Sequence, residues 1–275
     1  MPLTLDRAFP GAFGRNPDPT GGYSKRMSST VRSFVFVALA AALAGCGSAN
    51  PYQGMTDEQL VTLARQKFEE HDWDATIRAL DRFFISFGGS DRAPDARMMM
   101  ADAYYGKGDY LTARSEYQRF IDRYPGDDDA PGAALGMCRS LSALSPVPER
   151  DQEYTNEAIS TCRNVVSDYA GTPQATEAAT IANGMRVKLA EKEFLNADFY
   201  YRRKLYDSAI KYYEFVVQLY PETEYAPRAL LGIYESNKAI GYDDLAEDAR
   251  TKLLDQYPDS PAASTVRADG NGHDA

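Results

Sequence analysis

The chain is poor in the side chains that carry most enzyme chemistry: its 275 residues include two histidines, three cysteines and one tryptophan. His71 and His273 have no Cys, Asp or Glu at ligand spacing, which argues against a metal site and against a histidine-based nucleophile triad. No GxxxxGK[ST] or GxGxxG run is present, so no loop of the phosphate-cradling kind is expected. Basic residues are in deficit, 30 against 40 acidic, a formal charge of −10 that repels a nucleic-acid backbone. Long apolar runs are missing too. The longest, Phe34 to Leu43, has ten residues, whereas a bilayer-spanning helix needs roughly 20. These absences point away from an enzyme, a metalloprotein, a nucleic-acid binder and a membrane-spanning protein.

The ten-residue run has the layout of an export signal. Lys25, Arg26 and Arg32 supply a positive leader, and Ala44 and Gly45 supply small residues before a cut. Thirty-three residues before the run is long for such a leader, which makes Met27 a candidate start; a short N-terminal extension is the alternative. The stretch Leu43-Ala44-Gly45-Cys46 resembles the lipobox of bacterial lipoproteins, in which the cysteine is lipidated and becomes the first residue of the mature chain. The expected division is a signal peptide over 1–45 and a lipidated tether over 46–55. A free structural thiol at Cys46 is the bland alternative. Several acyl chains at about 0.8 kcal/mol per buried CH₂ would make a stable anchor where one would not. Gly47 follows the cysteine, where enterobacterial lipoproteins kept in the inner membrane carry aspartate. By resemblance the destination is the outer membrane, on its periplasmic face. Removal of residues 1–45 leaves 25 basic and 38 acidic side chains, a formal charge of −13.

The rest of the chain repeats itself. The segment 101–125, ADAYYGKGDYLTARSEYQRFIDRYP, superposes without a gap on 197–221, ADFYYRRKLYDSAIKYYEFVVQLYP, at a shift of 96 residues. Ala101, Tyr104, Tyr110, Ala113, Tyr117 and Pro125 meet Ala197, Tyr200, Tyr206, Ala209, Tyr213 and Pro221. This is the tetratricopeptide pattern: a small residue and an aromatic on one helix, then aromatic, Ala and aromatic on the next, with a closing proline. Two antiparallel helices approach closely only where a small side chain lets a facing aromatic settle between ridges. The proline stops the second helix because it lacks the N–H and clashes with the preceding turn.

Weaker copies run over Leu60–Gly88, with Thr76 at the small position, and over Tyr234–Pro258. A middle copy carries Ala158, Cys162 and Val165 on its second helix, after the insertion SPVPERDQEY. Repeats close at 88, 125, 170, 221 and 258. The expected fold is all-α, a right-handed α-solenoid of about five tetratricopeptide hairpins over 56–262. It divides into an N-terminal half (56–144), the insertion and second helix of the middle repeat (145–171), and a C-terminal half (172–262). A 30-residue stretch from 174, with one glycine, Gly184, reads as a single long helix. Residues 263–275 are small and polar and read as a disordered tail.

Cys138 and Cys162 fall on antiparallel helices of the middle repeat. Export would place them in an oxidising compartment, so they are either disulfide-bonded or two buried small apolar side chains. Tyr105 lies one residue beyond the packed Tyr104, and with Asp102 and Met98 it is expected on the concave side. The same face of the first repeat offers Val61, Arg65 and Phe68, a floor suited to an extended peptide.

Together, the lipobox, five repeats, the insertion ERDQEYTNEAI (149–159), the helix LAEKEFLNADFYYRRKLYDSAI (189–210) and the ending LAEDARTKLLDQYPDS (245–260) resemble the BamD family. These are lipoprotein subunits of the outer-membrane β-barrel assembly machinery. The resemblance implies a non-enzymatic periplasmic scaffold, with no cofactor besides the lipid on Cys46. It implies that the N-terminal repeats hold C-terminal segments of unfolded outer-membrane proteins, with Arg65, Phe68, Asp102, Tyr105 and Arg139 as groove residues. It further implies that helices from Phe194 to Asp255 meet the core assembly subunit, with accessory lipoproteins as further partners. The first repeat departs from the family by closing with SFGGSD. The alternative function is a tetratricopeptide lipoprotein scaffold of cell-wall or envelope-constriction machinery. Such relatives often carry an N-terminal coiled coil, and no sustained heptads precede the repeats here.

Overall fold

The computed structural model describes residues 51–271. The export segment, Cys46 and His273 lie outside the described residues. Five helical hairpins follow one another in chain order: α1 (Asp57–Glu69) with α2 (Trp73–Phe87), α3 (Ala93–Lys107) with α4 (Tyr110–Arg123), α5 (Ala130–Leu144) with α6 (Glu153–Asp168), α7 (Pro173–Arg202) with α8 (Tyr206–Leu219), and α9 (Tyr225–Ile240) with α10 (Asp243–Gln256). A last helix, α11 (Pro261–Asn271), packs on α9 and α10. The architecture is the all-α tetratricopeptide solenoid expected from the repeats.

Local chemistry sets the helix ends. Thr56 and Gln59 form a reciprocal capping box at the start of α1, with the Gln59 side chain accepting from the Thr56 N–H at 2.9 Å. Asp72, Asp109 and Thr172 accept N–H bonds at the starts of α2, α4 and α7. In four of the five hairpins the inner turn places one residue in the left-handed region. Gly108 (φ 84°) and Gly241 (φ 78°) fill it without strain, while His71 (φ 57°) and Lys204 (φ 60°) do so with a Cβ. Four of the five hairpins close on a tyrosine. Tyr124, Tyr169, Tyr220 and Tyr257 each donate the backbone N–H to a carbonyl four residues back. The first hairpin ends instead at Gly88, in right-handed geometry.

The small positions are filled as the packing argument requires. Thr76, Ala113, Ala158 and Ala209 are fully buried, and Ala246 nearly so. Between hairpins, aromatic rings of second helices lie on glycines of the next first helix: Tyr117 on Gly136 and Tyr213 on Gly232. Trp73 likewise lies on Gly106. First helices of successive hairpins touch one another, α1 with α3, α3 with α5, α5 with α7 and α7 with α9. Among the described residues no second helix reaches another second helix. Spreading the second helices apart puts the first helices on the inner face.

Helix α7, 30 residues long, serves two hairpins. It packs on α5 and α6 on one side and on α8 and α9 on the other. The insertion before α6 is tied to it. Buried Gln152 donates to the carbonyls of Val147 (2.9 Å) and Arg150 (3.0 Å), and Lys188 and Lys192 of α7 reach Ser145 Oγ (2.8 Å) and the Arg150 carbonyl (3.0 Å). Cys138 and Cys162 are joined in a disulfide linking α5 to α6 across 24 residues of chain. Closing a loop of that length stabilises by about 3 kcal/mol in the chain-entropy picture.

One boundary is corrected. The solenoid does not end at 262 in a disordered tail, because 261–271 is helical, with Ala263 and Val266 fully buried and Ala262 nearly so. Those three positions have helical spacing, and they cover the apolar face that the fifth hairpin would otherwise leave bare. Glycine and asparagine further on gave the stretch the composition of a tail.

The glycine seam can be tested against a glycine that packs on nothing. A Cβ at Gly136 would press into the Tyr117 ring, whereas one at exposed Gly184 in α7 meets no neighbour. Urea unfolding is expected to show Gly136→Ala less stable by about 1–3 kcal/mol and Gly184→Ala more stable by about 0.5–1 kcal/mol.

Candidate functional site

The inner face holds a cleft of about 300 Å³ where α3, α4, α5 and α7 meet. Met98 and Asp102 come from α3, Tyr117 from α4, Gly132, Leu135, Gly136 and Arg139 from α5, and Pro173, Gln174 and Glu177 from the first turns of α7. The glycine seam creates the space: with hydrogen at Gly136, the Tyr117 ring lies flat on α5 and its hydroxyl reaches back to α3.

The Tyr117 hydroxyl donates to Asp102 Oδ1 at 2.6 Å. Burial pushes the Asp102 carboxyl above the usual aspartate range, although the tyrosine bond and the Arg139 charge pull the other way. The Tyr117 hydroxyl is held protonated well beyond its usual range, first by burial and then by the aspartate beside it. Arg139 donates from Nε and Nη2 to the two Glu177 oxygens at 2.7 and 2.6 Å, a two-point fork across α5 and α7. That bond raises the guanidinium pKa and lowers the Glu177 carboxyl below its usual range.

Of the groove residues expected from sequence, the structure brings Asp102 and Arg139 into one cleft, with Met98 beside them. Tyr105 stays out of the cleft lining, half-buried and edge-on to Tyr110 at 5.2 Å. Arg65 and Phe68 also lie apart from the cleft. Arg65 is exposed on α1, and Phe68 packs edge-on against Trp73 at 5.3 Å. Tyr117 and Glu177 were not anticipated as cleft residues. Tyr117 reads as core, which it also is, since its ring is buried and only the hydroxyl serves the cleft. Glu177 stands 38 residues from Arg139, about one repeat, and charge pairing at that distance was the available signal.

The internal repeat supplies a natural comparison. A shift of 96 residues carries Asp102, Tyr105, Tyr117, Gly136 and Arg139 onto Asp198, Tyr201, Tyr213, Gly232 and Glu235. Glu235 thus stands where Arg139 does, accepting from the Tyr201 hydroxyl at 3.0 Å and helping burial push that phenol up to about 12. Gly132 becomes Arg228, whose guanidinium lies over Phe194 at 4.4 Å. The same backbone device therefore recurs in both halves, with an arginine on α5 in one and a glutamate at the equivalent place on α9 in the other.

Residues 53–253 match the model of a family described as YfiO, outer membrane lipoprotein. Curated relatives carry the name outer membrane protein assembly factor BamD. The one from Caulobacter vibrioides is 25% identical over 229 residues, 81% of this chain and 74% of the relative. The Pasteurella multocida protein is 23% identical, covering 78% and 87%, and the Rickettsia prowazekii protein 23% identical, covering 76% and 82%. Among solved structures, the yeast Sti1 TPR2AB complex aligns at 14% identity and a TM-score of 0.40, over 75% of this chain and 80% of that one. That score adds nothing to the helical geometry already described.

The Asp102 environment has a measurable consequence. A carboxyl whose pKa is raised by folding stabilises the fold while protonated, and that contribution is lost as pH rises from 3.8, its ordinary value, through the raised folded value. Asp102→Asn stays neutral and can still accept from Tyr117. In urea titrations the wild type is expected to lose stability relative to this variant as pH rises through that window, then hold a constant difference. A difference independent of pH would show that Asp102 titrates as it does in the unfolded chain.

Proposed function

Because the chain belongs to the YfiO family of outer membrane lipoproteins, we propose that it is a lipid-anchored scaffold of β-barrel assembly on the periplasmic face of the outer membrane. The observation that carries this reading is the family match over 53–253, a span that takes in nearly all of the five hairpins, together with relatives named as outer membrane protein assembly factors. In this reading Cys46 carries the lipid, and the inner face of the N-terminal half receives C-terminal segments of unfolded barrel proteins. The C-terminal half meets the core assembly subunit.

Two surface properties support that division of labour. Of the large exposed apolar side chains, Ile85, Leu111 and Val147 precede the C-terminal half, whereas Phe199, Leu205, Phe215, Leu219, Tyr242 and Leu245, each 43–54% exposed, belong to it. Exposed apolar side chains in that number suit a lasting protein contact. Where the N-terminal repeats meet the start of α7, a cleft combines Arg139 and two carboxylates with the apolar Met98 and Leu135, a mixed lining that suits a transient peptide. The acidic surface as a whole disfavours nucleic acid.

Affinity capture from detergent-solubilised envelopes is expected to recover a membrane-embedded barrel-assembly subunit, and its absence from the eluate would overturn the assignment. Cys46→Ala is expected to leave the helical circular dichroism and unfolding midpoint unchanged while the protein moves from the membrane to the soluble fraction. Unchanged membrane retention would place the tether elsewhere or on partners alone.

A further inference from the structure

We propose that the outer face of the C-terminal half holds a docking groove for a basic amphipathic helix of another protein. That helix seats a large apolar side chain between α8 and α10 and sets lysine or arginine against an acidic rim. The proposal stands on the groove itself and not on the assignment to β-barrel assembly, and the groove opens between second helices, not on the inner face.

The internal repeat shows where side chains are missing. A shift of 133 residues carries Gly108 onto Gly241, and with it α2, α3 and α4 onto α8, α9 and α10. At the earlier place the groove between second helices is filled from within. The Arg97 guanidinium of α3 lies over the Phe84 ring at 3.7 Å and donates to Glu116 of α4 at 2.6 Å, and Arg119 donates to the same carboxylate. The shift replaces Phe84, Arg97, Tyr104 and Glu116 by Val217, Leu230, Asn237 and Ala249. Every replacement is smaller, and the ion pair is gone. What remains is a cavity of about 250 Å³, lined by those four residues with Ile210 and Ile233 beside them.

Floor and rim differ in kind. Leu230, Ile233 and Ala249 are buried, whereas Glu214, Asp248 and Lys252 of the same lining are exposed. Leu245, 53% exposed, is shared with a second cavity at the α9–α10 turn, which adds Asp243 and Asp244. Four carboxylates and one ammonium thus surround an apolar floor, and charge complementarity selects a cationic partner.

The walls decide the form of that partner. They are helices whose backbone groups are paired along their own axes, so an extended chain would bring N–H and C=O groups that find no partner over the apolar floor. A helix arrives with its backbone satisfied, and its side chains at i, i+3 and i+4 place an anchor in the cavity with cations on either side. Among the described residues α8 and α10 flank α9 without touching each other, so the space above α9 is left open between them.

The test uses the full-length protein in detergent and a fluorescent eighteen-residue helical peptide of alanine and glutamine, with leucine at i, i+3, i+4 and i+7 and lysine flanking that stripe. Three control peptides have the leucines scrambled around the helix, glutamate in place of lysine, or a central proline. Anisotropy titrations are expected to show wild type binding the lysine peptide at least about ten-fold more tightly than the scrambled and proline peptides, the effect of burying one leucine. Its margin over the glutamate peptide should be about two- to ten-fold, the range for a few exposed ion pairs. Glu214→Lys with Asp248→Lys, both exposed, should reverse the preference to the glutamate peptide. Leu230→Arg with Ala249→Glu, which rebuilds the filling of the earlier groove, should bring the lysine peptide down to the level of the scrambled one, with circular dichroism unchanged. If the rebuilt groove does not fold, charge reversal decides by itself.

Equal binding of patterned and scrambled peptides by wild type means that the groove takes no anchor, and the proposal is wrong. Equal binding of the proline peptide makes the occupant extended and overturns the helix. A charge-reversed variant that still prefers lysine overturns the basic partner. Self-association of wild type in sedimentation, abolished by the rebuilt groove, makes the occupant a second copy of this chain instead. Recovery of a barrel-assembly subunit in affinity capture, alongside failure of every peptide, removes the groove and leaves the assembly role standing.

Discussion

Close approach between a ring and a glycine governs this structure. Tyr117 lies on Gly136, Tyr213 on Gly232 and Trp73 on Gly106, each time joining one hairpin to the next. A side chain at the glycine would push the helices apart, and in a stacked array a displacement at one seam is passed to every later repeat. Alanines within each hairpin do the same at shorter range. The curve of the inner face and the position of every cleft along it depend on these contacts.

The Arg139 cleft is a direct product of that constraint. With its ring against Gly136 of α5, Tyr117 sends its hydroxyl to Asp102 of α3. Arg139, less than one turn beyond Gly136, then faces the start of α7 and meets Glu177. Whether the first turns of α7 lie at that place depends in turn on the lengthened middle repeat. The insertion is pinned by Gln152 inside its own loop and by Lys188 and Lys192 from α7, and the disulfide holds α5 to α6 beneath it. Packing, loop hydrogen bonds and a covalent link converge on one four-helix junction.

The repeat architecture was legible because its signals are local. Small and aromatic residues at fixed spacing, and a tyrosine-proline or similar close, name a helical hairpin wherever they recur. The long helix was legible from the lack of proline over its length. The last helix was not, since Ala262, Ala263 and Val266 are too few to outweigh the glycine and asparagine near them until an apolar face requires a cover. The cysteine pair was left with two outcomes, because placing both on antiparallel helices does not say whether their Cβ atoms face; in the fold the Cα atoms lie 4.9 Å apart.

For the site the division is sharper. Asp102, read from its helical face, and Arg139, read from resemblance, line one cleft; Tyr105 borders it, near enough to act on Arg139 and Tyr117, while Arg65 and Phe68 lie elsewhere. Helical angle predicts which face a residue occupies, and all five lie on first helices. It does not predict which first helices converge, because that depends on small rotations at each seam and on the extra length of α7. By itself the sequence determined the helical hairpins, their order and their family, all set by contacts within about one repeat. Only the tertiary structure decided that Tyr117 and Glu177 complete the cleft, because these are contacts between helices of different repeats and depend on how the hairpins stack.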